Sequence, residues 1–600
     1  MKNISEKKLY YMQLLLFSVI GFIIIFHRSR AGVDLTDETW YSSDPYWVTK
    51  SSIPYVNNWT QASGFTFPLS LLFSFFLSAN GSSAGIILFS RTLFCFWKAI
   101  ISLISFILLY KAGDKIPALL VIPIIVYAPG NLFDVNYNTI GWSYMLLALS
   151  VLYCAMDNSR SKRQRLWLGI LTGMIIGRSV IGTLASVLLC IVILLALIIH
   201  KDWIALKGTI MGGIMAALIV ITYCCIRGGF SYFIMGLQYF VKDQAYFDSV
   251  SSYRVPLADS TAYLLQYMKP AILSLLIVLI LRGLLRKRLD IFNKLTVAYF
   301  AGVLLLSVFY LSKYDGNIPG LVKATKYGWF IPLLSLFLDG SPELKKKFKY
   351  SAYITLSYVV VYIFQGYVSN YGFETRCYWN LIPLALSVYI FFICIDGMFG
   401  TMRLPGVKVI AETITCLCIT LFVAQGAYRF VYRDMPYQQL DTKVKEGIWK
   451  GCYTTSERAD TVVQIEKEMK DRTTPDDQVL CYGNWPCFLN LLSDGQLCAP
   501  NAIGTGQKNG FDYWHMYQKV PTKVFVHVDV EDVQGRMTSA YDLWNFIDEF
   551  YQQSDEFYYT SYDENGSPTY YRIIELEITD YEAALAYADE KATKIFEPRR

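Results

Sequence analysis

Residues 407–428 read VKVIAETITCLCITLFVAQGAY, the last apolar stretch of such length in a chain of 600 residues. A helix needs roughly 20 mostly apolar residues to cross ~30 Å of hydrocarbon. Working back from residue 407, comparable runs recur at 380–397, 350–366, 327–339, 293–311, 268–285, 203–223, 181–199, 166–178, 139–156, 117–133, 87–110 and 9–26. The pattern predicts a polytopic α-helical membrane protein with about thirteen transmembrane helices. A composition of 54% hydrophobic and 17% charged residues agrees, and it excludes an ordinary soluble enzyme. The runs 166–178 and 327–339 are short for a full span. Gly177 and Gly182 predict a tight hairpin or a partial dip, which is tolerable where backbone lines a cavity.

Working forward from residue 428, the charge changes sign. Residues 430–600 carry 29 Asp/Glu and 17 Lys/Arg, and residues 1–429 carry the remaining 19 acids and 37 bases. The net +6 is thus the remainder of about +18 against about −12. This predicts a basic membrane module, 1–429, joined to an acidic soluble α/β domain, 430–600. In the latter, Gln478–Tyr482, Thr522–Val530 and Thr569–Ile578 read as strands, and Cys487–Leu492 and Ala540–Tyr551 as helices. No phosphate loop or nucleophile elbow is visible there, so the domain reads as a lid, an acceptor-recognition unit or a stabilising accessory.

Short cytoplasmic loops carry the excess of Lys and Arg. Lys2/Lys7/Lys8, Lys111/Lys115, Arg160–Arg165, Lys201, Arg282–Arg288, Lys345–Lys349 and Arg403/Lys408 fall on one side if thirteen spans are counted. The amino terminus is then cytoplasmic and the carboxyl-terminal domain extracytoplasmic. Segments 27–86, 224–267 and 429–600 lie outside. Within the first, Phe65–Leu77 is too short to span and reads as a helix lying in the interface.

Ionisable groups near membrane depth tend to mark function. Four of the 19 acids, Asp34, Asp37, Glu38 and Asp44, fall within eleven positions just after the first span, interleaved with Trp40, Tyr41, Tyr46 and Trp47. A solvated loop cap is the bland explanation for them; the interleaved aromatics and a place at the membrane surface on the side of the large domain favour a functional one. Nine of thirteen cysteines sit in or beside apolar runs as small hydrophobes. Cys452, Cys481, Cys487 and Cys498 leave one or two disulfides open, with no pairing derivable from spacing. No ligand-spaced Cys/His cluster is present among only 4 His. No metal is required, although clustered carboxylates leave a divalent ion open.

The stretch Asp37-Glu38-Thr39-Trp40-Tyr41 resembles the Asp-Glu-x-x-Tyr signature in the first outer loop of the C-type (GT-C) glycosyltransferases, which include protein O-mannosyltransferases and lipid A aminoarabinose transferases. Further elements follow in that family's order: Pro68-Leu69 opening the interfacial helix, Arg91 at the start of the second span, and Asn136-Tyr137-Asn138-Thr139 after the third. Thr375-Arg376-Cys377-Tyr378 with Pro383 resembles the late Arg-Tyr…Pro element, although Cys377 separates the pair. The resemblance implies an inverting hexosyl- or pentosyltransferase of the cell envelope, in a bacterial plasma membrane. Its donor is a sugar on a polyprenyl phosphate, and its acceptor a glycan, lipid or protein; membrane lipid is a partner and nucleic acid is not.

A sugar on a polyprenyl phosphate already has a good leaving group. Transfer needs mainly a base for the acceptor hydroxyl and cations for the departing phosphate. The resemblance assigns the base to Asp37. Glu38 would orient Asp37 or the acceptor, with Asp34 in reserve. Arg91, Arg178, Lys326 and Arg376 are the phosphate candidates, Arg through its planar fork. Arg91 could instead pair with an acid of the first loop, and Arg178 could form a structural pair. Asn136 and Asp134 face the cavity or cap a loop, Tyr41 offers a face to a sugar or belongs to an interfacial aromatic belt, and Tyr378 is a substrate-binding candidate of the late Arg-Tyr…Pro element. Three rival readings remain: a transporter or flippase, a polysaccharide polymerase or ligase using a lipid diphosphate, and a non-catalytic receptor or scaffold.

Overall fold

A computed structural model describes residues 6–60, 63–110, 121–157, 159–183, 186–241, 257–368, 372–399, 405–502, 507–531, 541–562 and 567–593. The chain is a polytopic, largely helical membrane protein with a carboxyl-terminal α/β part. The membrane module comprises α1 Glu6–Arg28, α2 Asp37–Lys50, α3 Thr66–Asn80, α4 Ile86–Leu109, α5 Val121–Val126, α6 Tyr137–Ala155, α7 Lys162–Gly182, α8 Val187–Ile199 and α9 Trp203–Gly228. It continues with α10 Phe230–Val241, α11 Leu257–Leu284, α12 Leu289–Ser312, α13 Ile318–Lys326, α14 Ile331–Leu334, α15 Pro342–Val368, α16 Leu381–Phe399 and α17 Pro405–Arg429. Nine helical stretches among the described residues are long and apolar enough to cross a membrane.

Two short predicted runs resolve differently. The chain does not turn at Gly177, because residues 162–182 make one continuous helix, α7; the helix ends at Gly182, and α8 starts at Val187. The reason is a stripe of small residues. A Cβ at Gly173 would lie 2.0 Å from the Thr209 carbonyl oxygen, and one at Gly212 would lie 1.9 Å from that of Ile170. Gly169, Gly173 and Gly177 on α7 thus let its backbone touch α9 at Gly208, Gly212 and Ala216, the way membrane helices associate closely without a hydrophobic drive. The run 327–339 is not a span: Pro332 falls in the four-residue α14, which a 3-10 turn at Ser335–Phe337 ends. Residues 117–120 of the third predicted span and 242–256 of the second outer segment lie outside the described residues.

Basic loops gather at one end of the bundle. Arg165 pairs with Asp202 at 2.6 Å, His200 Nε2 meets the Tyr353 hydroxyl at 3.2 Å, and Arg282 pairs with Asp339. Lys2, Lys111, Lys115 and Arg403 lie outside the described residues. The opposite end carries the α/β part: the Tyr453 amide donates to the Arg30 carbonyl at 2.8 Å, and that of Gly85 to Gly447 at 2.9 Å. Both ends of α3 lie at this second end, because Arg178 holds the Gly64 carbonyl before it and Gly447 holds Gly85 after it. The helix therefore returns to the side it started from, with Leu71 and Phe75 exposed along it.

In the α/β part, β1 Thr442–Lys443 and β2 Tyr453–Thr454 form a small ribbon. A five-stranded sheet has the order β4-β3-β5-β7-β6, with β3 Gln478–Gly483, β4 Gln496–Leu497, β5 Lys523–Asp529, β6 Tyr551–Tyr562 and β7 Pro568–Ile578. β4, β3 and β5 are parallel, and β7 and β6 run antiparallel to their neighbours. Its helices are α18 Ser456–Arg472, α19 Pro486–Leu492, α20 Gln507–Tyr517, α21 Tyr541–Phe550 and α22 Tyr581–Lys591. The strands β3 and β5 are buried through their middles, as befits parallel strands covered on both faces. All thirteen cysteines are unpaired thiols, so no disulfide joins Cys452, Cys481, Cys487 or Cys498.

Candidate active site

The site is built on the amino end of α2. Asp34, just upstream, accepts from the Thr36 amide (3.0 Å), the Thr36 hydroxyl (2.6 Å) and the Glu38 amide (2.9 Å). It thereby fixes the turn from which the helix starts, satisfying amides that a helix start leaves open. Burial, with Asp37 second, pushes its carboxyl up to about 6. Asp34 is a positioning group, and its side chain is turned inward.

Asp37 points the other way. Its carboxylate accepts a hydrogen bond from the Tyr432 hydroxyl and lies 4.0 Å from the Arg433 guanidinium. Burial and the Asp37 charge hold the Tyr432 phenol above its ordinary range, so it stays a donor. The Asp37 side chain is 32% exposed, whereas Asp34, Glu38 and Asp44 are all buried. Asp44 accepts from the Trp40 indole at 3.1 Å and Asn58 at 3.3 Å.

Glu38 and Arg91 form a buried two-point ion pair, with contacts of 2.5 and 2.6 Å. The remaining Arg91 donors reach the carbonyls of Ser29 (2.8 Å), Ala31 (3.4 Å) and Gly32 (2.8 Å). With its donors used in this way, Arg91 has nothing left for a substrate phosphate. The pair instead ties α2 and α4 to the chain leaving α1. Of the two expectations for Arg91, pairing with an acid of the first loop is the arrangement found, and Glu38 is the acid that holds it.

The loop 133–138 supplies the next wall. Asp134 is buried and accepts from the Ser90 hydroxyl, the Val135 amide (2.6 Å) and the Ser42 hydroxyl (3.3 Å). Burial first, then the charge of Glu38, pushes its carboxyl up to about 7. Asn136 caps α6 through the amides of Asn138 and Thr139, each at 3.0 Å. Its side-chain oxygen is therefore engaged by backbone, the capping role that was the alternative to facing the cavity. The neighbour Asn138 turns toward the late turn: its oxygen accepts from Arg376 at 3.1 Å and from the Tyr378 hydroxyl at 3.2 Å. Tyr41 and Tyr137 lie 6.0 Å apart, ring to ring, and both phenols neighbour the Arg376 guanidinium. Tyr41, Arg376 and Tyr378, remote in sequence, are thus brought together through Tyr137 and Asn138.

Arg178 stands apart from this cluster. It donates to the carbonyls of Gly64 and Phe65, both at 2.9 Å, and its Nε is buried without a partner. Its demonstrated contacts are structural. Lys326 opens with Lys269 onto a cavity of about 540 Å³ between α11 and α12, flanked by the exposed Leu273 and Leu306. Tyr267 links this region to the Arg376 turn, donating to Thr325 at 2.9 Å and accepting from Asn380 at 3.0 Å.

Asn138, Tyr432, Arg433 and Lys269 escaped the sequence reading. Asn138 sits inside the quoted Asn-Tyr-Asn-Thr run, and Tyr432 and Arg433 follow the last span directly, but no spacing rule joins positions so far apart. Among the described residues no group of three His, Cys, Asp or Glu side chains could hold a metal ion.

No family model and no curated protein matches the chain. Among solved structures, archaeal oligosaccharyltransferase AglB from Archaeoglobus fulgidus, in complex with an inhibitory peptide and a dolichol-phosphate, is similar over 94% of this chain and 74% of its own. The identity is 11% and the TM-score 0.46. ArnT from Cupriavidus metallidurans, bound to undecaprenyl phosphate, is similar over 94% of this chain and 97% of its own, at 11% identity and a TM-score of 0.39.

Proposed function

We propose that the chain is an integral-membrane glycosyltransferase of the GT-C kind. It moves one sugar from a polyprenyl-phosphate donor to an acceptor hydroxyl at the end of the bundle that bears the α/β part. The observation that carries this reading is the exposure of Asp37. Of the four acids in the first loop it alone keeps an accessible carboxylate, while the other three are buried and engaged.

In this mechanism Asp37 takes the proton as the acceptor oxygen attacks the anomeric carbon. The bond from that carbon to the phosphate oxygen breaks, its electron pair leaves with the phosphate, and configuration inverts. Tyr432 and Arg433 hold the carboxylate in place for proton transfer, a contribution typically worth 10²–10⁴-fold. Arg376 is the cation suited to the phosphate, positioned by Asn138, and Lys326 and Lys269 offer charge at a lipid-facing opening where a polyprenyl chain can lie.

The test uses the full chain reconstituted in vesicles with polyprenyl-phosphate hexose and pentose donors, following release of free polyprenyl phosphate in the presence of envelope extract. The expected result is release that Asp37→Asn lowers by roughly a hundredfold or more at unchanged insertion. Full release by a correctly inserted Asp37→Asn protein would overturn the assignment.

A further inference from the structure

At the end of the bundle opposite the α/β part, a cavity of about 520 Å³ opens between α14, α15 and the end of α11. One side of it is cationic, with Arg282, Lys345 and Lys349 against a single acid, Asp339. The other side is apolar and ends on Leu336 and Leu356, 53% and 42% exposed.

The charge arrangement is unusual for a helix start. α15 begins Pro342-Glu343-Leu344-Lys345-Lys346-Lys347-Phe348-Lys349, placing four cations in its first two turns. Glu343 in the first turn answers the partial positive charge of the helix start, and the four lysines beyond it leave a local excess of positive charge that favours an anion. Asp339 offsets only part of this charge: it pairs with Arg282 and, at 3.4 Å, with Lys345. It is fixed in that role by Asn293, which donates to its carbonyl at 3.0 Å and accepts from its amide at 3.1 Å. Lys349 has no carboxylate partner among the described residues; its ammonium lies 5.9 Å from the Tyr353 ring. The Tyr353 hydroxyl faces His200 at 3.2 Å, adding a polar level just above the apolar wall.

A cationic mouth continuous with a lipid-facing apolar wall matches one ligand chemistry, a phosphate diester carrying acyl chains. Basic pockets between membrane helices take anionic headgroups in this way. We propose that this cavity binds one anionic phospholipid, with Lys345 and Lys349 on the phosphate and an acyl chain along Leu336 and Leu356. The site is far from Asp37 in the fold and does not depend on the glycosyltransferase reading.

The full chain, exchanged into micelles with equal parts phosphatidylglycerol and phosphatidylcholine, can be examined by native mass spectrometry. One phosphatidylglycerol should be retained per chain in preference to phosphatidylcholine. The double variant K345Q/K349Q should lower that preference by about tenfold or more, two surface charges being lost. K349Q, which breaks no ion pair, should show a smaller loss in the same direction and serves if the double variant does not purify. R286Q/K287Q, at the same end but outside the cavity, should keep the preference. Equal retention of the two lipids by the unaltered chain, or an equal loss in R286Q/K287Q, would refute a built site. Displacement of the lipid by inorganic phosphate alone would point to a free anion and refute the lipid.

Discussion

The hydroxyl of Tyr432 donates to the carboxylate of Asp37 across 395 positions of sequence. The first loop of the membrane module is thereby completed by residues that follow its last helix.

Tyr432→Phe tests whether this bond serves the chemistry. A hydrogen bond to a charged group contributes about 1.5–3 kcal/mol. The rate constant for transfer should fall roughly tenfold to a hundredfold with little change in KM for the donor, because the phenol orients the base and does not touch the donor. A change confined to KM would remove Tyr432 from the proton-transfer geometry.

Glu38 and Arg91 should behave as structural partners. Breaking a buried pair leaves an uncompensated charge and costs about 3–5 kcal/mol. Glu38→Gln and Arg91→Ala should each lower the thermal midpoint in detergent by several degrees. Arg91→Lys should not rescue it, since an ammonium cannot reproduce two bonds to Glu38 and three to carbonyls. An Arg91→Lys protein as stable as the parent would argue against the backbone contacts of Ser29, Ala31 and Gly32.

Asp134 and Asp34 give the stability a pH dependence with a definite sign. Both carboxyls are raised in the fold, to about 7 and about 6 from 3.8. The folded chain therefore holds protons that the unfolded chain releases, and stability falls as pH rises from about 4 to about 7 before levelling. Asp134→Asn should flatten the upper part of that decline in a series of thermal melts between pH 4 and 8. A parent protein that gains stability over this window would contradict the buried, protonated state.

Arg376 and Asn138 should be coupled. Loss of either should raise the KM for the polyprenyl donor, and a double-mutant cycle should give less than the sum of the two single effects. Strict additivity would mean that Asn138 does not position the guanidinium.

The helical architecture was legible because apolar runs of spanning length leave little alternative in hydrocarbon. Run length alone misled at Gly177, where the informative pattern was the recurrence of Gly169, Gly173 and Gly177 every four residues. It also misled at 327–339, where Pro332 sits at the start of a helix of only four residues and a 3-10 turn at Ser335–Phe337 ends it, in a run that hydropathy left intact. β6 was overlooked because Tyr551–Tyr562 reads as mostly polar; only one face of this edge strand is covered. In the site, the motif pointed to α2 but could not separate its acids. Burial divides Asp37 from Asp34, Glu38 and Asp44, and burial depends on partners hundreds of positions away. Asn136 and Asn138 are equivalent on paper, and only the helix cap tells them apart.

Asp434 gives the junction after the last helix a wider meaning. It accepts from the Val33 amide at 2.7 Å, Thr454 at 2.8 Å and Arg458 at 2.9 Å. A graft that exchanged the outer domain for another at residue 430 would therefore also remove Tyr432, Arg433 and the anchor of the first loop. Modular shuffling at this seam works only if residues 430–434 travel with the helices, so the working unit of inheritance is longer than the hydrophobic segment that ends at Arg429.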